Sequence, residues 1–340
     1  LTRNIITGVI QNGDVILNKT ILVCGAGGFI GTHLVNDLKD KGHTVIGVDI
    51  KEPLYEDSRC DDFYKQDLRQ AEMVDFIFSQ HKFDEVYQLA ADMGGAGYIF
   101  IGDNDADIMH NSASINLNVL ESCRRNKVTK VFYSSSACMY PEHNQLDPDN
   151  PDLAEDTAYP ANPDSDYGWE KLFSERLYLA YGRCYNMNVK IARFHNIFGP
   201  QGSWNNGKEK APAALCRKVA MAEHDGVIEV WGPGNQTRSF LFIDECVEGI
   251  QRIMESDLTE PVNLGSTRKI SINELVLLIA ERTNKRVTIK NIDGPRGVMG
   301  RTSDNKMIKE KINWAPDEDL ETGIDKTYSW ILRQIESGIE

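Results

Sequence analysis

The feature that most constrains the fold is a short apolar run that leads directly into closely spaced glycines. Thr20–Cys24 (TILVC) has the pattern of a buried strand, and the GAGGFIG sequence that follows it precedes an amphipathic stretch typical of a helix. Glycines here permit a tight turn and let the backbone approach a pyrophosphate at a helix amino terminus. The residues predicted to contact such a dinucleotide are Gly25, Gly28, Phe29, Ile30 and Gly31.

An acidic residue supports the same prediction from the end of the next strand. Asp49 ends the apolar run HTVIGVD, 18 residues after Gly31. A carboxylate at this place accepts hydrogen bonds from an adenosine ribose and repels a 2′-phosphate, so it favours NAD over NADP. The alternative is that glycine-rich turns are common and that Asp49 merely ends a strand. Weaker candidates for contact with NAD are Asp67, for the adenine, and Leu89, Ala90 and Ala91, which follow the third strand.

The alternation of apolar strands with helical patterns predicts the fold class. The predicted strands are TILVC, HTVIGVD, FDEVYQLA, KVFYSS and NVKIARF, and the predicted helices follow Gly31 and occupy about 112–126, 166–186, 211–224, 244–255, 272–283 and 321–336. This order is typical of an α/β, Rossmann-type, doubly wound parallel sheet. We expect an NAD-binding domain at 1–195, with returning segments near 236–265, and a smaller α/β substrate-binding domain at 196–340.

Composition excludes several classes of partner. The chain has 51 acidic and 37 basic residues and a net charge of −14, which argues against binding to nucleic acid or to an anionic membrane. No apolar run approaches the ~18 residues of a membrane span, and the first residues lack a signal-peptide pattern. The seven cysteines are scattered and never spaced C-x-x-C, which predicts reduced thiols, no metal site and a cytoplasmic protein. Two interpretations of residues 1–18 remain open: an added strand and an ordered arm.

A serine-ending strand and a Tyr-x-x-x-Lys pair predict a redox centre. Ser136 ends the fourth strand, and Tyr167 and Lys171 share one face of the helix at 166–186. A lysine ammonium, helped by a cationic nicotinamide, is expected to lower the tyrosine pKa, so that Tyr167 can take a proton from a substrate hydroxyl. Ser136 would bind the same oxygen. A surface Tyr–Lys pair is the alternative for the motif taken alone.

With these motifs, the chain after about residue 19 resembles the extended short-chain dehydrogenase/reductase superfamily. The residues that carry the resemblance are GAGGFIG, Asp49, Ser136, Tyr167 and Lys171. Members of the superfamily modify nucleotide sugars with a tightly bound NAD. The resemblance also implies a homodimer that forms through two helices of each subunit, at about 112–126 and 166–186.

Six further segments resemble the GDP-mannose 3,5-epimerases within that superfamily. They are AADMGG, SSSACMYPE, RFHNIFGP, GKEKAPAALCRK, QTRSFLFIDECVEG and GRTSDN. The resemblance implies that GDP-mannose, or a related nucleotide sugar, is inverted at C3 and C5 to give GDP-L-galactose and GDP-L-gulose. It also implies substrate contacts by Gly95, Ser136, Asn196, Lys210, Lys218, Gln236, Arg238, Ser239 and Arg301.

The expected reaction requires an acid and a base in addition to the redox centre. An unactivated C–H bond of a hexose becomes acidic once C4 is oxidised to a ketone, and protons are then removed and returned on opposite faces. By resemblance, Cys138 and Lys210 are this pair. A lone cysteine is more often a small buried hydrophobe, and Lys208 is the alternative to Lys210. His195 is expected to be structural.

Three other functions remain open. A 4-epimerase has no use for an acid/base pair of Cys138 and Lys210, and a 4,6-dehydratase is expected to carry Asp-Glu where this chain has Ala137-Cys138. A non-catalytic NAD-binding protein usually loses the Tyr/Lys pair, which is intact here. The acidic segment 99–109 departs from the resemblance and is expected to alter access of the substrate.

Overall fold

The computed structural model describes residues 8–11, 14–295 and 297–338, and it describes side chains from residue 18 onward within these ranges. Of the amino-terminal region, whose structure was left open, residues 1–7, 12 and 13 lie outside the described residues. Gly8–Gln11 (β1) and Asp14–Leu17 (β2) pair antiparallel, with Gly8 opposite Leu17, in a two-stranded sheet of their own.

The main sheet is parallel and has seven strands, as the fold class predicts. In chain order they are β3 (Thr20–Cys24), β4 (Thr44–Asp49), β5 (Asp62–Lys65), β6 (Glu85–Gln88), β7 (Lys130–Ser136), β8 (Asn188–Phe194) and β13 (Val262–Leu264). Their order in the sheet is β13-β8-β7-β6-β3-β4-β5. The central strand β3 is apolar without alternation, and Ile21, Leu22 and Val23 are almost fully buried. A strand covered on both faces has this pattern.

The remaining strands form small sheets. They are β9 (Ile197–Phe198), β10 (Gly226–Trp231), β11 (Thr237–Ser239), β12 (Leu241–Phe242), β14 (Lys269–Ser271), β15 (Val287–Ile292) and β16 (Gly300–Arg301). β10 pairs parallel with β15, β12 with β9, and β11 lies between β14 and β16. The pairing of β11 with β16 sets Arg238 beside Arg301.

Ten α-helices lie in the described part of the chain. They are α1 (Phe29–Asp40), α2 (Ala71–Gln80), α3 (Ala96–Ile99), α4 (Asp105–Arg125), α5 (Asp166–Tyr185), α6 (Ala211–Met221), α7 (Ile243–Glu255), α8 (Ile272–Arg282), α9 (Lys306–Ile312) and α10 (Leu320–Glu336). Side-chain hydrogen bonds fix the residues at which two of these helices begin. Ser271 and Glu274 form a capping box before α8, and the Asp319 carboxylate accepts a hydrogen bond from the backbone N–H of Thr322 in α10.

The chain forms two compact units. The first contains residues 1–91, 112–133 and 178–190, and the second contains residues 92–111, 134–177 and 191–340. The glycine turn and Asp49 belong to the first unit, whereas Ser136, Cys138 and Tyr167 belong to the second. Which domain binds which ligand stays a prediction.

Three further findings concern groups that the sequence analysis considered. All seven cysteines are free thiols. Within the described ranges, no group of three or more His, Cys, Asp or Glu side chains is arranged to bind a metal ion. No helix among the described residues combines the length and the apolar character needed to cross a membrane.

Candidate active site

The glycine turn between β3 and α1 is packed so closely that side chains would not fit. Gly25 has a φ of +84°, and a Cβ there would lie 2.9 Å from the backbone nitrogen of Ala90. A Cβ on Gly31 would lie 2.0 Å from the carbonyl oxygen of Gly25. Gly28 caps α1 without a side-chain hydrogen bond, so the first N–H groups of the helix, including those of Phe29 and Ile30, face outward from its end.

Asp49 lies beside this turn at the end of β4. Its Oδ2 accepts a hydrogen bond from the backbone N–H of Gly27 at 3.1 Å, and its Oδ1 accepts one from the N–H of Lys51 at 3.3 Å. Burial raises the pKa of this carboxyl. The two hydrogen bonds orient the carboxylate, and its remaining lone pairs can accept bonds from ribose hydroxyls.

The segment after β6 lies against the turn. The backbone N–H of Leu89 donates to the Cys24 carbonyl at 3.1 Å, and the Gln88 amide accepts from the N–H of Ala90 and donates to its carbonyl. Asp67 is different, because Arg69 forms a close ion pair with its carboxylate and lowers its pKa. The predicted contact of Asp67 with an adenine stays a prediction.

These residues fit a bound NAD. The turn lacks side chains where a diphosphate would approach, the helix amino terminus favours negative charge, and an oriented carboxylate follows the second strand. Gly25, Gly28, Phe29, Ile30 and Gly31 would bind the diphosphate, and Asp49 the adenosine ribose. The assignment of each residue stays a prediction.

The predicted redox residues are brought together within the second unit. Lys171 is 2% exposed, and its Nζ donates to the Ser134 carbonyl at 3.1 Å and lies 5.6 Å from the centroid of the Tyr167 ring. The Ser136 hydroxyl interacts with the Tyr167 phenol. Tyr167 packs in turn on Ile99 and Ile108, so the unusual acidic segment also supplies apolar side chains that pack against this tyrosine.

The electrostatics of Tyr167 differ from the expectation. Burial raises the pKa of its phenol, and the nearby Cys138 raises it further. Burial also lowers the pKa of Lys171. Within the described residues, the cost of burying a phenolate therefore dominates, and the lowering of the Tyr167 pKa that was expected from the neighbouring lysine is not seen.

Cys138 is the middle residue of the 3₁₀ turn Ala137–Met139, which directly follows Ser136. Its backbone N–H donates to the Ser136 hydroxyl oxygen at 3.2 Å, and its Sγ accepts a hydrogen bond from Nη1 of Arg301 at 2.9 Å. The other guanidinium nitrogens of Arg301 contact Gln145 and Asp164. The sequence analysis did not identify Gln145 or Asp164, since neither belongs to a recognisable motif.

The structure distinguishes between the two candidate lysines. Lys210 precedes α6, and burial lowers the pKa of its ammonium while the nearby Cys138 opposes that change. Lys208 is exposed, and its Nζ lies 3.7 Å from the centroid of the Tyr98 ring and 3.8 Å from Oδ1 of Asp92. Lys210 interacts electrostatically with Cys138, whereas Lys208 contacts Tyr98 and Asp92, and the assignment of Lys210 as the partner of Cys138 stays a prediction.

The other predicted substrate residues have varied surroundings. Asn196 has a φ of +46° and donates from its amide to the carbonyl of Ser239. Gln236 is 5% exposed, and its buried Oε1 has no hydrogen-bond partner among the described residues. Lys218 donates to the Glu229 carbonyl at 2.7 Å. These contacts leave their predicted roles as predictions.

Two more residues that are predicted to bind the substrate, Arg238 and Gly95, donate hydrogen bonds to backbone carbonyls. Arg238 donates from its guanidinium to the carbonyls of Thr237 and Val298, and burial lowers the pKa of Arg238 to about 10. Gly95 caps α3 and donates to the Lys208 carbonyl, and a Cβ there would lie 2.2 Å from the Glu209 carbonyl oxygen. Only glycine lets these two backbone segments meet.

A buried polar network centres on Asn263, which the sequence analysis missed. Its Oδ1 accepts from Tyr140 Oη at 2.8 Å and lies 3.0 Å from His195 Nε2. Its Nδ2 donates to the carbonyls of Leu153 and Asp304. His195 is fully buried in this network, which supports the structural role expected for it.

Comparison with known proteins identifies the family. The sequence profile described as "NAD dependent epimerase/dehydratase family" matches residues 21–265. The chain belongs to that family. The family's NAD dependence confirms the cofactor prediction, and its Rossmann-type structures confirm the fold class.

Three similar proteins refine the comparison. The chain is 48% identical to GDP-mannose 3,5-epimerase of Arabidopsis thaliana over 94% of this chain and 84% of the relative, and 48% identical to GDP-mannose 3,5-epimerase 1 of Oryza sativa subsp. indica over 93% and 82%. These matches confirm the resemblance drawn from the sequence. The UDP-glucose 4-epimerase of Thermotoga maritima, solved with UDP-glucose, superposes with a TM-score of 0.81 at 26% identity, covering 93% of this chain and 99% of that chain.

Proposed function

We propose that the protein is an NAD-dependent isomerase that inverts C3 and C5 of the hexose of GDP-mannose, giving GDP-L-galactose and GDP-L-gulose. The 48% identity to the plant GDP-mannose 3,5-epimerases supports the substrate and the reaction. Within the proposal, residues 1–195 with returning segments near 236–265 bind NAD, and residues 196–340 bind the nucleotide sugar.

One observation carries the proposal. Cys138 interacts electrostatically with Tyr167 and Lys171 of the redox pair and also with Lys210. A 4-epimerase needs only the redox pair, because its sugar loses no carbon-bound proton to solvent. The combination of a thiol and a half-buried amine next to a Tyr/Lys pair supports chemistry at the carbons that flank C4.

The redox residues move a proton at the C4 oxygen. NAD supplies the reversible oxidation of the C4 alcohol. The Tyr167 phenolate oxygen accepts the hydroxyl proton and becomes a neutral phenol, and Ser136 donates a hydrogen bond to the same substrate oxygen. Buried Lys171, which is fixed by the Ser134 carbonyl, stabilises the tyrosinate that accepts this proton.

Cys138 and Lys210 then exchange the carbon-bound protons. In the C4 ketone, the C3–H and C5–H bonds are acidic because the enolate delocalises charge onto the C4 oxygen. One of the two groups removes the proton at Sγ or Nζ, and the other returns a proton to the opposite face. Burial lowers the pKa of Lys210, which brings its amine closer to the range where it can both give and accept a proton.

The test is incubation of the protein with NAD and GDP-mannose in heavy water, followed by NMR of deuterium at each sugar carbon. We expect deuterium at C3 and at C5, and loss of this exchange in Cys138→Ala. Cys184→Ala, which removes an exposed thiol, is the matched control and should exchange like the unmodified protein.

Other outcomes would point to other reactions. Inversion at C4 without exchange from solvent would indicate a 4-epimerase, and loss of water with deuterium at C5 would indicate a 4,6-dehydratase. Binding of NAD with no turnover of any nucleotide sugar would indicate a non-catalytic protein. Each of these results contradicts the proposal.

We also propose that the protein is a cytoplasmic homodimer. Seven free thiols suit a reducing compartment. The α5 helix exposes Trp169 and Phe173, which are 42% and 47% accessible, and large apolar side chains on one helix suit an interface. Sedimentation equilibrium at several concentrations tests the dimer, and Phe173→Glu should shift the protein toward monomers.

A further inference from the structure

The guanidinium of Arg301 donates hydrogen bonds to three side chains within the second unit. Its Nε donates to Gln145 Oε1 at 2.6 Å, its Nη1 to Cys138 Sγ at 2.9 Å, and its Nη2 to Asp164 Oδ2 at 3.3 Å. The residue is 5% exposed. A planar guanidinium held at all three nitrogens has a fixed orientation, so the hydrogen bond to the sulfur is fixed as well.

The partners of Arg301 are themselves anchored. Gln145 is fully buried, and its Nε2 donates to the carbonyls of Tyr140 and Pro141 at 3.1 Å each. Its backbone carbonyl accepts from the N–H of Met299, two residues before Arg301. The segment that carries Arg301 is therefore tied to the segment that carries Gln145 by both backbone and side chain.

The charged groups around the Cys138 sulfur are mostly cationic. Arg301 and Arg238 come from paired strands, Lys171 from α5 and Lys210 from the start of α6, and all four interact electrostatically with Cys138. Tyr167 interacts with the same sulfur from α5, and burial raises the pKa of its phenol. The carboxylate in this group, Asp164, contacts Arg301 on the side away from the sulfur.

We propose that Arg301 is a positioning residue for Cys138: oriented by Gln145 and Asp164, it fixes the sulfur and stabilises its thiolate form. This inference rests on the proposed function, since it concerns the acid/base thiol of that reaction. It gives Arg301 a role different from the contact with the substrate diphosphate that the family resemblance implies. A guanidinium that donates to a sulfur favours the anion, because the anion is the stronger acceptor.

The test follows the thiolate directly. Alkylation of Cys138 by iodoacetamide is measured by peptide mapping from pH 5 to pH 11, with NAD bound, since only the thiolate reacts. In Arg301→Gln, the pH at half-maximal rate should rise by about 1 to 3, the usual effect of removing a nearby opposite charge. In Asp164→Asn, it should fall, because the carboxylate no longer offsets the guanidinium.

Shifts of opposite sign separate this role from a structural one. If the two residues only stabilised the packing of the site, Arg301→Gln and Asp164→Asn would shift the pH at half-maximal rate in the same direction, or neither substitution would shift it. Arg301→Lys keeps the charge without the fork and should give a midpoint between those of the unmodified protein and Arg301→Gln. Arg282→Gln removes one exposed cation of the same charge from a surface ion pair and is the matched control.

The result that overturns the inference is an unchanged midpoint in both Arg301→Gln and Asp164→Asn, with a raised KM for GDP-mannose in Arg301→Gln. Arg301 would then bind the diphosphate. Alkylation needs no turnover, so the inference can fail while the exchange experiment supports the epimerase, and the reverse result is equally distinguishable. Circular dichroism establishes that each variant is folded.

Discussion

The glycine turn and the surroundings of Cys138 are built in contrasting ways. The turn comes from one short stretch of chain, and backbone groups and the spaces where side chains are absent define it. The Cys138 surroundings come from side chains in four separated segments that carry Cys138, Lys171, Lys210 and Arg301. Local geometry defines the first region, whereas electrostatic interactions between side chains define the second.

This difference determines how each region responds to change. In the turn, an added methyl group collides with backbone, which cannot move far without disturbing β3 or α1. Around Cys138, a substitution removes a charge or a hydrogen bond and alters the protonation of its neighbours. Shape therefore governs the first region, and electrostatics governs the second.

The largest effect is expected from removing the proton acceptor. Tyr167→Phe should lower kcat with GDP-mannose by about 10²- to 10⁴-fold, since general acid–base catalysis contributes this much. Tyr185→Phe changes an exposed tyrosine of the same helix and should keep full activity. Activity of Tyr167→Phe within tenfold of the unmodified protein would mean that another group accepts the proton.

The buried His195 allows the electrostatic cost of burial to be tested by measuring the free energy of unfolding at several pH values. Burial lowers the pKa of His195 from 6.5 to about 4, so the unfolded chain takes up the proton first as the pH falls. Stability is therefore lost between pH 6.5 and pH 4, by about 3 kcal/mol from this residue. Urea unfolding at several pH values should show a shallower loss in His195→Gln, and the same loss as the unmodified protein in His110→Gln, an exposed position.

A test of shape compares two glycines of the first unit. Gly31→Ala places a Cβ about 2.0 Å from the Gly25 carbonyl, and we expect the free energy of unfolding to fall by about 1–3 kcal/mol and NAD binding to weaken. Gly182→Ala, a substitution within α5, places a Cβ 3.5 Å from the Met187 carbonyl oxygen and should raise that free energy by about 0.5–1 kcal/mol. Equal effects of the two substitutions in thermal unfolding would refute the importance of shape.

The smallest effect concerns the Asp49 side chain, which accepts a hydrogen bond from the turn. Asp49→Asn should weaken NAD binding by about tenfold and reduce the preference over NADP, because it removes the charge that repels a 2′-phosphate. Asp57→Asn, at an exposed position on the following loop, is the control for a loss of the same charge. Calorimetric titration with both dinucleotides measures the preference, and an unaltered ratio would assign it to another residue.

Much of the fold was predictable, because its signals are local. The predicted strands at TILVC and NVKIARF and the helix at 166–186 match β3, β8 and α5 within a residue or two. The helix expected at 112–126 begins earlier, at Asp105, since the acidic segment supplies favourable charges for a helix amino terminus. β5 and α2 were not predicted, because short or partly exposed elements have weak periodicity.

The site was predictable only where a motif carried it. Tyr167 and Lys171 follow from their spacing, and Cys138 from its neighbours in SSSACMYP. Gln145 and Asp164 could not be found, because their contacts with Arg301 join positions 137 to 156 residues apart. The direction of the Tyr167 pKa also required the structure, since burial is a property of the packed protein.

The four contacts of Asn263 have a consequence for how such proteins diverge. A shorter or apolar residue there would remove hydrogen bonds to a histidine, a tyrosine hydroxyl and two carbonyls at once, each at a cost of about 1–3 kcal/mol. No single exchange elsewhere repairs all four losses. Asn263 and its partners therefore change together or not at all, and a designer who transplants this substrate region must move the whole set.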